Sequence, residues 1–144
     1  MKRTLIVLMT LFLGLALAQK VPVTAFHLVP GVLWPAPAYR VLGAECEKAV
    51  AALKLPEGTR LEAAQCYELV IANPDDAATY LYFIARGLSQ RMKLLTETMS
   101  ADGALVQIWQ GADKKKLYLH VKFGKNRFFL IAGWLTKASS EAKP

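Results

Sequence analysis

The sequence has little of the material from which catalytic and metal sites are usually built. Its 144 residues include two cysteines, two histidines and four serines. Neither G-x-S-x-G nor H-E-x-x-H occurs, and there is no glycine-rich phosphate-binding loop. The cysteines do not form C-x-x-C and no histidine cluster accompanies them, which excludes the common zinc and redox motifs. We therefore expect a protein that is not an enzyme and that uses no metal and no cofactor.

Only one apolar run is long, and it opens the chain. Lys2 and Arg3 precede the uncharged residues 4–18, which end in the A-x-A pattern of a cleavage site at residues 16–18. A helix of this length covers about 22 Å, less than the roughly 30 Å of a bilayer core. The pattern predicts a bacterial Sec-type signal peptide over residues 1–18, with an uncleaved anchor as the alternative. We expect an exported protein, periplasmic or secreted, without a transmembrane segment in the mature chain.

Negative charge is scarce in the second half of the mature chain. The whole sequence has 18 Lys and Arg against 11 Asp and Glu, a formal net charge of +7. Residues 19–85 hold 5 basic and 7 acidic side chains, whereas residues 86–144 hold 11 basic and 4 acidic ones. A basic half in an exported protein favours anionic partners such as nucleic acid, anionic lipid or an envelope polymer. The alternative is that the charge serves solubility alone.

The two cysteines lie 20 residues apart, at Cys46 and Cys66. In an oxidising compartment a pair at this spacing is expected to form one disulfide. In the chain-entropy description, closing a loop of about 20 residues stabilises a fold by roughly 3 kcal/mol. Two separate buried thiols are the alternative.

Prolines divide the mature chain into an arm and a domain. Residues 19–43 contain four of the seven prolines, and we expect there a Pro-rich N-terminal arm with at most one short strand, over residues 23–29. The arm is apolar enough to pack against the rest of the protein. A single domain is predicted over residues 44–136, followed by a flexible tail over residues 137–144.

Hydrophobic periodicity predicts helices over residues 44–55 and 75–90. Strand-length runs follow over residues 93–99, 104–110, 116–123 and 128–135. Residues 59–72 are ambiguous, because Thr59-x-x-Glu62 is a helix-capping pattern whereas the stretch after it is rich in β-formers. We favour a strand over residues 64–72. The expected fold is α+β: a two-layer sandwich in which two helices pack on one face of an antiparallel β-meander of about four to five strands.

Strand registers locate a candidate surface on the meander. Pairing Phe123 with Phe128, and Ile108 with Leu117, collects the aliphatic side chains on one face of the sheet. The other face then combines aromatic and basic side chains, and the hairpin before residue 116 carries three consecutive lysines. The candidate binding residues on this face and hairpin are Trp109, Lys114, Lys115, Lys116, Tyr118, His120, Lys122 and Phe129.

The layout of residues 67–134 resembles small exported bacterial α+β domains of uncharacterised function. The resemblance rests on the apolar residues 69–72 before Asn-Pro-Asp-Asp at residues 73–76, on the helix that follows, and on a meander that ends in the apolar residues 128–134. It covers about half of the chain and implies no activity.

These patterns predict a non-enzymatic binding module that contacts an anionic polymer or an envelope protein through a basic, aromatic sheet face. The alternative is a structural or self-associating subunit of an envelope assembly, a homo-oligomer that uses Trp109, Phe129 and Ile131 of that face as an apolar interface.

Overall fold

The computed structural model describes residues 19–138 of the chain. The predicted signal peptide, residues 1–18, lies outside the described residues, as do residues 139–144 of the predicted tail. Among the described residues, no helix is long and apolar enough to cross a membrane.

Seven strands and two α-helices make up the described chain. In order they are β1 (Lys20–Ala25), β2 (Leu33–Val41), α1 (Ala44–Ala51), β3 (Thr59–Val70), α2 (Ala77–Ser89), β4 (Met92–Met99), β5 (Leu105–Gly111), β6 (Lys116–Phe123) and β7 (Arg127–Lys137). A 3₁₀ turn, Pro74–Asp76, leads into α2, and the Asn73 side chain accepts a hydrogen bond from the Asp75 backbone N–H at 3.1 Å. The sequence-predicted positions of both helices and of the last four strands are confirmed to within a few residues, and residues 59–70 form a strand.

The seven strands form one curled antiparallel sheet in the order β1-β2-β3-β7-β6-β5-β4. The longest strand, β3, lies in the interior of the sheet and pairs with β2 on one side and β7 on the other. A bulge interrupts the β3–β7 pairing between Glu62 and Gln65, where Ala63 has a positive φ of 54°. Such bulges bend a strand and increase its twist, which is consistent with the curl of the sheet.

One face of the sheet, which we call the α2 face, holds the larger core. Ile84 and Leu88 of α2 are buried against it. The buried sheet residues on this face include Tyr67, Leu69, Trp109, Leu117, Leu119, Val121, Phe128, Leu130 and Ala132. The loop between β1 and β2 joins the same core through Phe26, which stacks on Trp34 with 5.1 Å between ring centroids.

The opposite face, which we call the α1 face, holds a smaller core. Val41, Cys66 and Ile131 are buried there. Partly buried apolar side chains of α1 and of the residues after it pack against them, together with Leu61 and Phe129. The predicted disulfide is confirmed: Cys46 of α1 is bonded to Cys66 of β3, with Cα atoms 5.6 Å apart. The bond ties α1 to the centre of the sheet.

The expected fold class is wrong in three respects. The sheet has seven strands rather than four or five, and the protein is one curled sheet rather than a two-layer meander sandwich. The helices do not share a face: α2 covers one side and α1 the other. Finally, the Pro-rich stretch forms β1 and β2 of the sheet rather than an arm.

The prolines of this stretch occupy positions that need no backbone donor. Pro22 lies in β1, which is an edge strand. Pro35 and Pro37 precede the segment of β2 that pairs with β3, which is residues 38–41, and they fall where the β1–β2 pairing is irregular. Proline is tolerated in sheets at edges and irregularities because its missing N–H leaves no ladder bond unmade.

The predicted register is correct for one hairpin and wrong for the other. Phe123 is paired with Phe128, as predicted. In the β5–β6 hairpin, however, Leu117 is paired with Trp109 rather than with Ile108. The cause is Lys114, whose positive φ of 68° places one extra residue in the turn. This single-residue shift moves every β5 side chain to the other face.

Candidate functional site

The structure separates the predicted binding residues. Trp109 lies on the α2 face and is only 3% exposed, with its Nε1–H donated to Gln107 Oε1 at 3.0 Å. Tyr118 lies on the α1 face and is 2% exposed, and Phe129 is half-buried beside α1. The aromatic side chains of the predicted face are therefore divided between two cores. The basic side chains remain exposed at the ends of the strands.

The three hairpin lysines line a cleft at the end of the α1 face, which we call the lysine cleft. Its volume is about 370 Å³. The lining comprises Pro56, Thr59, Leu95, Thr96, Ile108, Lys114, Lys115, Lys116, Leu135, Thr136 and Lys137. Four of these eleven residues are lysines, and none is acidic. The aliphatic side chains of the strands provide an apolar component of the lining.

Local hydrogen bonds hold the β5–β6 turn that carries three of the lysines. The turn holds Gly111 and Lys115 in a backbone hydrogen bond of 3.0 Å, and the Lys115 N–H donates to Asp113 Oδ1 at 3.1 Å. Lys115 lines the cleft, but its ammonium lies 5.8 Å from the centroid of the Trp134 ring, which packs against the larger core on the α2 face; this distance is within range of a cation–π interaction. Lys137, the last residue of β7, adds a cation from another strand.

The lysine cleft has an unbalanced positive charge. Within residues 19–138, Lys114, Lys116 and Lys137 have no salt-bridge partner, and Lys115 makes only the contact with Trp134. Asp113 in the β5–β6 turn is a nearby counter-charge, but the lining itself has four cations and no carboxylate, and such an excess of like charge attracts anions. The sequence identified three of these lysines. It missed Lys137, which was assigned to the predicted tail of residues 137–144, although β7 extends to Lys137.

Lys122 does not belong to this cleft. It lies six residues beyond Lys116 on β6, a distance of about 20 Å along a strand. Its ammonium is 4.0 Å from Asp102 Oδ2, so its charge is partly balanced.

His120 and Tyr118 line a second, smaller cavity on the α1 face, which we call the histidine cleft. It has a volume of about 190 Å³ and lies between the end of α1 and the β4–β5 turn. Its other lining residues are Ala52, Lys54, Ser100, Ala101, Asp102 and Val106. His120 Nδ1 is buried and has no hydrogen-bond partner among the described residues.

Burial sets the protonation behaviour of the histidine cleft. It lowers the pKa of His120, an effect that the Asp102 carboxylate opposes in part. Burial also raises the pKa of Tyr118, and Asp102 adds to that increase. A hydrogen bond from the Ser100 hydroxyl lowers the pKa of Asp102.

Folding thus brings a serine, an aspartate and a histidine to one cleft, which sequence spacing did not indicate. The Ser100 hydroxyl is engaged within the turn, because it donates to Asp102 and accepts from the Ala104 N–H at 3.1 Å. A nucleophilic serine needs its hydroxyl hydrogen-bonded to a base, and a bond to His120 is not among those it makes. The arrangement has the geometry of a turn rather than of a catalytic triad.

Across residues 19–138, no group of three or more His, Cys, Asp or Glu side chains could hold a metal ion. Comparisons of the chain with protein-family models, with curated proteins and with solved structures found no match.

Proposed function

We propose that this protein is an exported, non-enzymatic binding module that holds an anionic polymer on the lysine cleft. The observation that carries the proposal is that Lys114, Lys115, Lys116 and Lys137 all line one cleft whose lining contains no carboxylate. Export is supported by the signal-like residues 1–18 and by the disulfide, a bond typical of oxidising compartments.

The placement of the lysines favours an extended ligand over a small ion. They come from the β5–β6 turn, the start of β6 and the end of β7, so the positive charge is spread along the end of the sheet. Polyanions bind such surfaces through release of their counterions, which makes the affinity steeply dependent on salt. The apolar part of the lining, with Leu135 and Ile108, offers contact area to the less polar parts of a polymer.

The test uses a short mixed-sequence DNA duplex as a generic polyanion. Co-sedimentation of the oxidised mature protein with the duplex is measured at several salt concentrations. The triple variant K114Q/K115Q/K116Q removes three cleft charges. The control K48Q/K54Q/K125Q removes three lysines that lie outside the lysine cleft, so that the net charge is equal.

Wild type and control should bind with affinity that falls steeply with salt, whereas the cleft variant should bind weakly. Its slope of log affinity against log salt should be lower by about 2–3, since each lost phosphate contact removes just under one unit. Equal losses in the two triple variants would show that net charge, not the cleft, attracts the polymer. The absence of binding by wild type at low salt would overturn the proposal.

The self-association hypothesis also stays a prediction. The structure divides the residues on which it depended: Trp109 is buried on the α2 face, and Ile131 is buried beneath α1. An assembly would therefore need another surface, such as the exposed edge strand β4 with Leu95 and Met99. A salt-insensitive oligomer in the sedimentation experiment without DNA would favour this alternative.

A further inference from the structure

A larger groove, which we call the α2 groove, lies on the α2 face between the helix and the edge of the sheet. It is shallow and open to solvent, with a volume of about 660 Å³. Tyr82, Ala85, Arg86 and Ser89 line it from the helix, where their spacing places them on one side of α2. The sheet contributes Met92, Lys93, Leu94 and Trp109.

The floor of the groove is held in place by a hydrogen-bond chain that runs from the buried Trp109 to the exposed Glu97. Trp109 Nε1–H donates to Gln107 Oε1 at 3.0 Å, and Gln107 Nε2–H donates to Glu97 Oε2 at 2.5 Å. The only polar atom of the indole ring is thereby satisfied within the protein. The ring is 3% exposed, so it supports the groove from below in a fixed orientation, and the exposed apolar surface comes from the walls.

The lining of the groove has cations and no anion. Arg86 is exposed on the helix side, and within residues 19–138 its side chain has no salt-bridge partner. Lys93 also lines the groove, from the edge strand. A guanidinium presents paired N–H donors that match the two oxygens of a carboxylate. Arg86 is thus a cation that lies beside the apolar part of the α2 groove.

Exposed apolar side chains form part of both walls of the α2 groove. Tyr82 is 62% exposed and Leu94 is 38% exposed, which leaves apolar surface in contact with water on both walls. A bound chain of methylene groups would remove this surface from water at a gain proportional to the area covered.

We infer that the α2 groove binds a single-chain amphipathic carboxylate, with Arg86 holding the carboxylate and with Tyr82 and Leu94 contacting the apolar chain. The charge complementarity between Arg86 and an anion, combined with the exposed apolar walls, favours this occupant over a neutral apolar molecule. The site is independent of the proposed polyanion function, because no residue lines both the groove and the lysine cleft.

The test is isothermal titration of the oxidised mature protein with dodecanoate below its micelle concentration. We expect one saturable site in wild type. Arg86→Gln should weaken it by about tenfold or more, as expected for loss of a charge-assisted contact. Dodecyltrimethylammonium, which has the same chain and the opposite charge, should not bind.

Two controls separate this site from the lysine cleft and from folding defects. The K114Q/K115Q/K116Q variant should bind dodecanoate as wild type does, even where it has lost polyanion binding. Leu94→Glu places a negative charge in the α2 groove at an exposed position, and should abolish binding while thermal unfolding stays cooperative.

The inference is overturned if wild type shows no saturable heat, or if Arg86→Gln binds dodecanoate as wild type does. It is also overturned if Leu94→Glu instead dissolves a dimer that dodecanoate leaves intact, since the occupant would then be a second copy of the chain. Binding only to vesicles of an anionic phospholipid, and not to dodecanoate, would identify a membrane surface as the occupant and likewise reject the inference.

Discussion

Removal of the disulfide should loosen α1 much more than it loosens the sheet. The bond joins Cys46 of α1 to Cys66 of β3, and the larger core lies on the opposite face, beneath α2. The relevant perturbation is the double substitution Cys46→Ala/Cys66→Ala, which avoids mispaired thiols. The question is how much of the stability of α1 the bond supplies.

The structure allows both contributions to be compared. The cysteines are separated by 20 residues, and a loop of this length corresponds to a stabilisation of about 3 kcal/mol. The apolar packing of α1 is modest: Val50 and Leu53 are half-buried, which contributes about 1 kcal/mol each. With eight residues, α1 is too short to be stable alone in water. The packing energy is therefore no larger than the contribution of the bond.

The assay combines urea unfolding with hydrogen exchange of peptides from α1 and α2. The free energy of global unfolding of the variant should fall by at most about 3 kcal/mol. The upper limit applies because α1 can detach locally from the sheet without unfolding the rest of the protein. Amides of α1 should exchange much faster, while those of α2 should follow the global change only. The reasoning is refuted if α1 exchanges only through global unfolding in the variant, or if the sheet fails to fold.

Two further predictions concern the α1 face. Gly133→Ala should lower the free energy of unfolding, measured with urea, by about 1–3 kcal/mol, because a Cβ there would lie 2.5 Å from Leu61 Cγ. The loss should be smaller in a Leu61→Ala background if that contact is its cause. Burial lowers the pKa of His120 below its ordinary value of 6.5, so the unfolded chain binds the proton more tightly than the folded protein does. The stability that depends on neutral His120 is therefore fully present above pH 6.5 and is lost as the pH falls below that value. His120→Gln should therefore flatten the decline in urea midpoint between neutral and mildly acidic pH, and an unchanged decline would show that another group is responsible.

The local elements were predictable because their signals are local. Hydrophobic periodicity located α1 and α2, and the alternating pattern located β6 to the residue. The prolines of residues 19–43 misled, since Pro35 and Pro37 are poor strand formers in general. The sheet tolerates these prolines because β3 pairs only with residues 38–41 of β2 and the β1–β2 pairing is irregular before those residues. This pairing is a property of the assembled sheet.

The candidate site was predictable in part. Three consecutive lysines at a turn are visible in any reading of the sequence, and the structure places them around one cleft. The exclusion of Trp109 from that face was not predictable. It depends on the positive φ of Lys114, a conformation that glycine or asparagine at that position would have indicated. Because lysine carries no such signal, the register was wrong by one residue.

The assignment of the helices to opposite faces follows from the alternation of side chains in β3 and from the disulfide. Cys66 and Tyr67 are adjacent in a strand, so their side chains point to opposite sides of the sheet. A disulfide from α1 to Cys66 fixes that helix on the side away from Tyr67 and Leu69, which α2 must then cover. The helices cover the centre of the sheet on both faces and leave its margins more open. Both the lysine cleft and the α2 groove lie at such margins, one at the end of the strands and the other along the β4 edge.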